Sequence, residues 1–369
     1  MAYELIYCHQ YVLQDLRLAG LVKWLRHAFR PRHYVAVMPD LSDFRLKTIE
    51  THTSGHPTRV VVDGLPVFRG ETVAAQRACA RAEHDELRTL LCREPRGHQA
   101  MYAAYVVPSR VADVGVIFCS QVGYDDMCGH GTIGVVTALL QGGRLPRRTE
   151  VRLETPAGVV TAQPHWQGER VAAVSFDSVP AFLLHRDVKM ELPGVGAVHG
   201  DIAFGGNWYL YVDAAEVRQE IAPAGVPELL RLGNALKETW NREGRLRHPE
   251  QEHIAPGLIG VSFYGPPRRR ADAHQSNLVV ESDTFYDRSP CGTGTCGRMA
   301  VLHARGALAV GEEFRNESIT GGLFTARITS ETSVGSLPAV QPRLTGSAWV
   351  MGRAEWSLDP TDPLGSAGW

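Results

Sequence analysis

Cys128-Gly-His-Gly-Thr-Ile-Gly-Val-Val-Thr-Ala-Leu-Leu-Gln-Gly-Gly-Arg-Leu145 and Cys291-Gly-Thr-Gly-Thr-Cys-Gly-Arg-Met-Ala-Val-Leu-His-Ala-Arg-Gly-Ala-Leu308 are two copies of one pattern. Set one above the other without a gap, they share a Cys, three Gly, a Thr, a Leu, a fourth Gly and a final Leu. Each copy reads as a glycine-rich turn, a helix, a glycine at the C-terminal stop and an apolar residue beyond it. A single copy would be an ordinary structural turn. Two in one chain imply a duplicated domain related by a pseudo-two-fold axis.

The chemistry follows from the turn. A glycine-rich turn feeding a helix leaves backbone N–H groups unpaired at the positive end of the macrodipole. Such an end binds a carboxylate without any Arg or Lys. A cysteine placed there has its thiolate stabilised and becomes a usable base near neutral pH. Two such ends face to face would make a carboxylate cradle with one thiol on each side. Inversion at an α-carbon requires that arrangement: one thiolate removes a proton from one face and the opposing thiol supplies one to the other. The aligned N–H groups would also stabilise charge developing toward the carboxylate. Cys128 and Cys291 are therefore the expected acid/base pair.

Competing readings use the same residues less fully. Cys128, His130, Cys291 and Cys296 could be taken as zinc ligands. However, Cys296 aligns with Ile133, an apolar slot on the helix, and reads as core. A nucleophilic pair of Cys128 and His130 leaves the second copy without a use, and residues at i and i+2 of a helix start are expected to diverge. A binding protein that retains the fold without catalysis is a further alternative, which the two intact thiols oppose.

Composition sets the surroundings. The chain has 369 residues, 44% hydrophobic and 21% charged, with a formal net charge of -2. That balance offers nothing to a nucleic acid, and no apolar run approaches the roughly 18–20 residues of a membrane span. The expected partner is a small-molecule amino-acid substrate, with no nucleic acid and no membrane; nothing in the sequence opposes a homodimer. Seven scattered cysteines make a poor disulfide framework and fit reduced thiols in a cytoplasmic setting.

Along the chain, Leu18, Leu21, Val22, Leu25 and Phe29 recur at helical spacing among basic residues, the pattern of an amphipathic helix ending before Pro31. Residues 1–44 are thus expected as an N-terminal extension, open to reading as a docking helix, a disordered stretch or a start codon placed upstream of Met38, with a basic membrane-surface helix as a lesser alternative. From Leu46 the texture turns to short β-rich runs, around Arg59, Ala103, Val114, Val171, Trp208, Ile259 and Leu278. Helices are expected over residues 71–92 and 226–242. Strands outnumber helices, and few helices fall between successive strands, which points to an α+β fold on mostly antiparallel sheets. Pro266-Pro-Arg-Arg-Arg reads as a solvated turn, and the tail after Asp359 as frayed.

These residues resemble the proline racemase family. The resemblance is carried by Met127-Cys-Gly-His-Gly-Thr-Ile-Gly and Asp287-Arg-Ser-Pro-Cys-Gly-Thr-Gly-Thr. Glu94-Pro-Arg-Gly-His, Glu154-Thr-Pro-Ala-Gly, Phe204-Gly-Gly-Asn-Trp and His52-Thr-Ser-Gly-His-Pro-Thr-Arg support it. It implies a fold like diaminopimelate epimerase: two pseudo-symmetric domains, each a sheet wrapped around a central helix, with the site between them. The expected domains are 45–185 and 186–345, with 346–369 as a C-terminal segment that completes the first. The resemblance implies no cofactor and no metal. It assigns Cys128 and Cys291 to acid/base work and Gly129, His130, Gly292 and Thr293 to substrate contact. Asp287 is assigned to the substrate's ring amine.

Within the family, dehydratases generally replace one of the two cysteines by Ser or Thr. Both are cysteine here, which favours a racemase or epimerase. The His-Gly-Thr-Ile-Gly and Gly-Gly-Asn-Trp runs look most like 4-hydroxyproline 2-epimerases, with proline or another amino acid as the alternative substrate. Two departures stand out. The family's usual Gly-Gly-Glu-Pro is Ser54-Gly-His-Pro57 here, and Cys296 takes a place where Ser is more familiar.

Overall fold

The computed structural model describes residues 45–244, 246–359 and 361–362. The helix expected around Leu18–Phe29 and nearly all of the tail beyond Asp359 lie outside the described residues. Among the described residues no helix is long and apolar enough to cross a membrane.

The α+β reading holds, and the order of its strands is a repeat. The first run comprises β1 (Arg45–Thr53), β2 (His56–Asp63), β3 (Tyr102–Val107), β4 (Val114–Ser120), β5 (Tyr124–Asp125), β6 (Val151–Thr155), β7 (Gly158–Gln167) and β8 (Arg170–Asp177). After β9 (Phe182–Leu192) comes the second run: β10 (Gly196–Phe204), β11 (Trp208–Asp213), β12 (Gly260–Gly265), β13 (Gln275–Val280), β14 (Tyr286–Asp287), β15 (Glu313–Ser318), β16 (Leu323–Val334) and β17 (Leu337–Gly346). β18 (Ala348–Ser357) closes the chain.

Pairing follows the same plan in both runs. β1 and β2 pair antiparallel, β2 and β3 parallel, and β4 takes β3 and β5 antiparallel and β6 parallel. In the second run β10 and β11 are antiparallel, β11 and β12 parallel, and β13 takes β12 and β14 antiparallel and β15 parallel. Antiparallel ladders continue through β6, β7 and β8 and through β15, β16 and β17. Parallel neighbours need a crossover long enough to return the chain, and here each crossover contains a helix. Those helices are α1 (Val73–Glu83) and α2 (Asp85–Cys92), α3 (Gly129–Gln141), α4 (Val226–Glu243) and α5 (Gly292–Ala304). The single helix expected over 71–92 is broken at His84, which is at once the C-cap of α1 and the N-cap of α2.

α3 and α5 are the two repeat helices and have equal length. α3 is buried along every residue to Leu140, and α5 from Gly292 to Val301. Helices apolar on all sides belong inside a protein. α3 packs against β1, β2, β7, β8 and β18, and α5 against β9, β10, β16 and β17. The expected glycine stops follow both helices: Gly143 and Gly306 have φ of 69° and 71°, a backbone that costs glycine nothing. The outer strands match as well. β18 lies antiparallel to β1, as β9 lies to β10. The junction expected at 185/186 falls within β9, which runs unbroken through it. The two runs join where β8 pairs with β17.

Arg59 on β2 ties several of these pieces together. Its buried guanidinium pairs with Glu50 on β1 at 3.0 Å and donates to the carbonyls of Leu91 and Arg96. It also stacks on the Trp356 ring of β18 at 4.1 Å. Arg59→Met should lower unfolding free energy by about 3 kcal/mol, because two carbonyls and a largely buried carboxylate lose their partner. Chemical denaturation against the wild-type chain would measure it; an unchanged midpoint would remove Arg59 from this role.

Candidate active site

Each repeat cysteine is the N-cap of its helix. Cys128 Sγ accepts the Gly131 N–H at 3.2 Å, and Cys291 Sγ accepts the Gly294 N–H at 3.3 Å. The two helix starts then meet. A Cβ added to Gly129 would stand 2.4 Å from the Cα of Gly292, and the converse holds for Gly292. No side chain fits at either position while the other helix is in place. The first turns of α3 and α5 therefore face one another across bare backbone, with a thiol at each cap.

The neighbouring segments fix this approach. Asn207 accepts the Asp126 N–H and donates to the Met127 carbonyl, just before Cys128. Asn277 and Asn316 both donate to the Pro290 carbonyl, just before Cys291. Gly205 and Gly206, in the Phe204-Gly-Gly-Asn-Trp run, lie against Thr293 and Gly297 so closely that a Cβ on Gly205 would come within 2.3 Å of Thr293 O. That run thus supports both motifs at once. Cys291 has φ 58°, a left-handed backbone for a residue with a Cβ, whereas Cys128 has φ -137°. Such strain persists only where surrounding structure imposes it.

Asp287 is buried, on β14, and accepts the Ser289 N–H at 2.8 Å. Its Oδ1 lies 3.3 Å from His56 Nδ1 and its Oδ2 3.6 Å from His130 Nδ1. Burial alone would raise this carboxyl. Positive charge on the imidazoles of His56 and His130, whenever they carry it, and the Ser289 hydrogen bond outweigh burial and set it below the usual carboxylate range. No Lys or Arg pairs with it within ion-pair distance among the described residues. The result is a buried carboxylate in want of a cation. His56, His130 and Asp287 bring ligand atoms within 4.8 Å of one another, a cluster that suits one small positive charge such as a substrate ammonium.

His130 also lies 3.3 Å from Cys128 Sγ through Nδ1. The expected divergence of these two side chains is therefore wrong. Cys128 is a cap with extended backbone, so its side chain folds back over the first turn instead of following helical spacing. In the second copy Thr293 takes the place of His130. Its Oγ1 is 2.8 Å from Tyr209 Oη, and the Cys291 thiol donates to Tyr209 Oη at 3.6 Å. All seven residues singled out in the sequence gather here: Cys128, Gly129, His130, Asp287, Cys291, Gly292 and Thr293. Cys296 is fully buried, as its alignment with Ile133 suggests.

Further side chains complete the site beyond the seven expected ones. Tyr102, Phe285 and His56 form an aromatic wall beside His130. Asp125 is the counterpart of Asp287, since Tyr124–Asp125 and Tyr286–Asp287 are the equivalent strands β5 and β14. The shared Tyr-Asp pair was a usable signal, hidden by one extra residue before Cys291. The two carboxyls are shifted in opposite directions. Burial, with Asp126 alongside, pushes Asp125 well above the usual carboxylate range.

The thiols also depart from the simple expectation. Burial, with Asp125 near Cys128 and Asp287 near Cys291, pushes both well above the usual thiol range. The cap N–H groups and, for Cys291, the Tyr209 hydroxyl pull the other way without overcoming it. Desolvation outweighs the helix ends in the free protein. Alkylation by iodoacetamide should therefore be slow at neutral pH at both thiols and climb only above the range of free cysteine. Tyr209→Phe should push the Cys291 inflection higher still and leave that of Cys128 in place. Peptide mass spectrometry resolves the two sites; equal shifts at both would discard the Tyr209 contribution.

Known proteins resemble this chain over most of its length. Residues 48–368 match the family model described as proline racemase. A trans-3-hydroxy-L-proline dehydratase of Burkholderia cenocepacia is 42% identical over 324 residues, 86% of this chain and 96% of the relative. A 4-hydroxyproline 2-epimerase of Streptosporangium roseum is 41% identical over 322 residues, with the same coverage. A crystal structure of a hydroxyproline epimerase from Agrobacterium vitis with bound trans-4-hydroxy-L-proline superposes with a TM-score of 0.83 at 30% identity. That match covers 88% of this chain and 95% of the other.

Proposed function

The chain belongs to the proline racemase family, and on that premise we propose that it inverts the α-carbon of 4-hydroxyproline, interconverting the trans-L and cis-D epimers with two cysteines. The observation that carries the reading is the meeting of two thiol-capped helix starts at Gly129 and Gly292. The substrate carboxylate lies on the facing N–H groups. Its ring ammonium pairs with the buried anion of Asp287. One cysteine, as thiolate, takes the α-proton while the other, as thiol, delivers a proton to the opposite face, and the reverse reaction exchanges their roles. Gly129, His130, Gly292 and Thr293 line this space. No cofactor or metal has a part in these steps.

A pair of thiols suits reprotonation better than a thiol facing an alcohol, because an alcohol is a poor proton exchanger near neutral pH. The 42% identity to a trans-3-hydroxy-L-proline dehydratase nevertheless favours a second reading, loss of water from a 3-hydroxylated ring. Identities of 42% and 41% do not separate the two.

Incubation of trans-4-hydroxy-L-proline in deuterated water, without added cofactor, should give the cis-D epimer carrying deuterium at the α-carbon. Cys128→Ser and Cys291→Ser should each reduce inversion by roughly a thousandfold. Asp287→Asn should act mainly through a higher KM. Full inversion by either serine variant would sink the two-thiol mechanism. Consumption of trans-3-hydroxy-L-proline to a dehydrated product, with no inversion of the 4-isomer, would instead select the dehydratase reading.

A further inference from the structure

His56 is the residue whose place the sequence marks as a departure, and the structure sets it in the wall of the site. Its imidazole is fully buried. The ring meets His130 edge-on at 4.3 Å, Phe285 at 5.8 Å and Tyr102 at 5.9 Å. Nδ1 accepts the Arg288 backbone N–H at 3.0 Å and lies beside Asp287. Nε2 is buried and, among the described residues, has no hydrogen-bond partner.

The state of this ring is set by its surroundings. Burial pushes its imidazolium down to about 3, so the ring is neutral at any working pH. A neutral ring whose Nδ1 accepts must carry its proton on Nε2. A buried donor without an acceptor is costly and rare in folded proteins. The described residues supply no such acceptor, which leaves it to something that enters the site beside the Asp287 carboxylate.

We propose that His56 is a specificity-determining residue whose Nε2 hydrogen-bonds the ring hydroxyl of the substrate while Asp287 holds the ring nitrogen. The inference rests on the hydroxylated imino-acid reading given above and extends it to a named contact. In 3- and 4-hydroxyproline alike, the ring nitrogen and the hydroxyl oxygen are separated by three bonds. Their partners, the Asp287 carboxylate and Nε2, are separated by the breadth of one imidazole beyond a 3.3 Å contact. One small ring can therefore meet both. A hydroxyl donates and accepts, so it satisfies Nε2 in either tautomer; the methylene of proline satisfies neither.

The test compares trans-4-hydroxy-L-proline, trans-3-hydroxy-L-proline and L-proline with the wild-type chain, His56→Phe and His56→Gln, measuring kcat, KM and calorimetric Kd. The wild-type chain should prefer a hydroxylated ring over proline by about tenfold or more, from the hydrogen bond gained. His56→Phe should erase that preference, chiefly in KM and Kd, and His56→Gln, which keeps an amide near the Nε2 position, should restore part of it. The 15N resonance of His56 Nε2 in the wild-type chain should move on adding the preferred hydroxyproline and stay in place with proline, a readout independent of how the variants fold. A preference that survives in His56→Phe, or an Nε2 signal that responds equally to proline, overturns the proposal. Absence of turnover on all three substrates would overturn the reaction proposed above, while the binding and 15N comparisons still decide the role of His56.

Discussion

The contact between Gly129 and Gly292 is the constraint on which the rest of the structure depends. Two helix starts that touch through bare backbone can do so only if each is held from behind. The sheets supply that support, by burying α3 and α5 almost completely among strands. Asn207, Asn277, Asn316 and the Gly205–Gly206 turn then fix the segments leading into the two caps. Without the close approach, each cysteine would be an N-cap like any other. With it, two thiols and two sets of free N–H groups share one small volume.

That volume is electrically uneven in spite of the repeat that built it. Asp125 and Asp287 occupy matching strands, yet burial pushes the first well above the usual carboxylate range while the surroundings of the second hold it below that range. His130 stands beside Cys128, and the matching Thr293 with Tyr209 stands beside Cys291. The duplication thus provides the geometry, and later divergence of side chains provides polarity.

Much of this was legible in the sequence because the demands of a cap are local. Cys, Gly and Thr at fixed spacing describe a turn whose chemistry does not depend on distant residues, and the repeat made it visible twice. The α+β class was also legible from strand texture, although the repeated pairing order was not, since pairing joins segments far apart. The break at His84 left no mark, because strong helix formers lie on both sides. The contact between Cys128 and His130 was misjudged by applying helical spacing to a residue in extended backbone. His56 could be noticed as unusual, but its neighbours Asp287, Arg288 and Phe285 lie in the other half of the chain. Whether a thiol is raised or lowered was likewise out of reach, since burial depends on the whole fold.

The placement of β18 beside β1 has a consequence for how the molecule comes into being. α3, which carries Cys128, is covered in part by β18, the final strand of the described fold. During synthesis the first run of strands emerges with one edge open and part of its central helix uncovered, and an open edge invites wrong partners. The second run, whose outer strand β9 precedes it, has no such delay. The half made first is therefore finished last, once β18 has left the ribosome and can pair with β1.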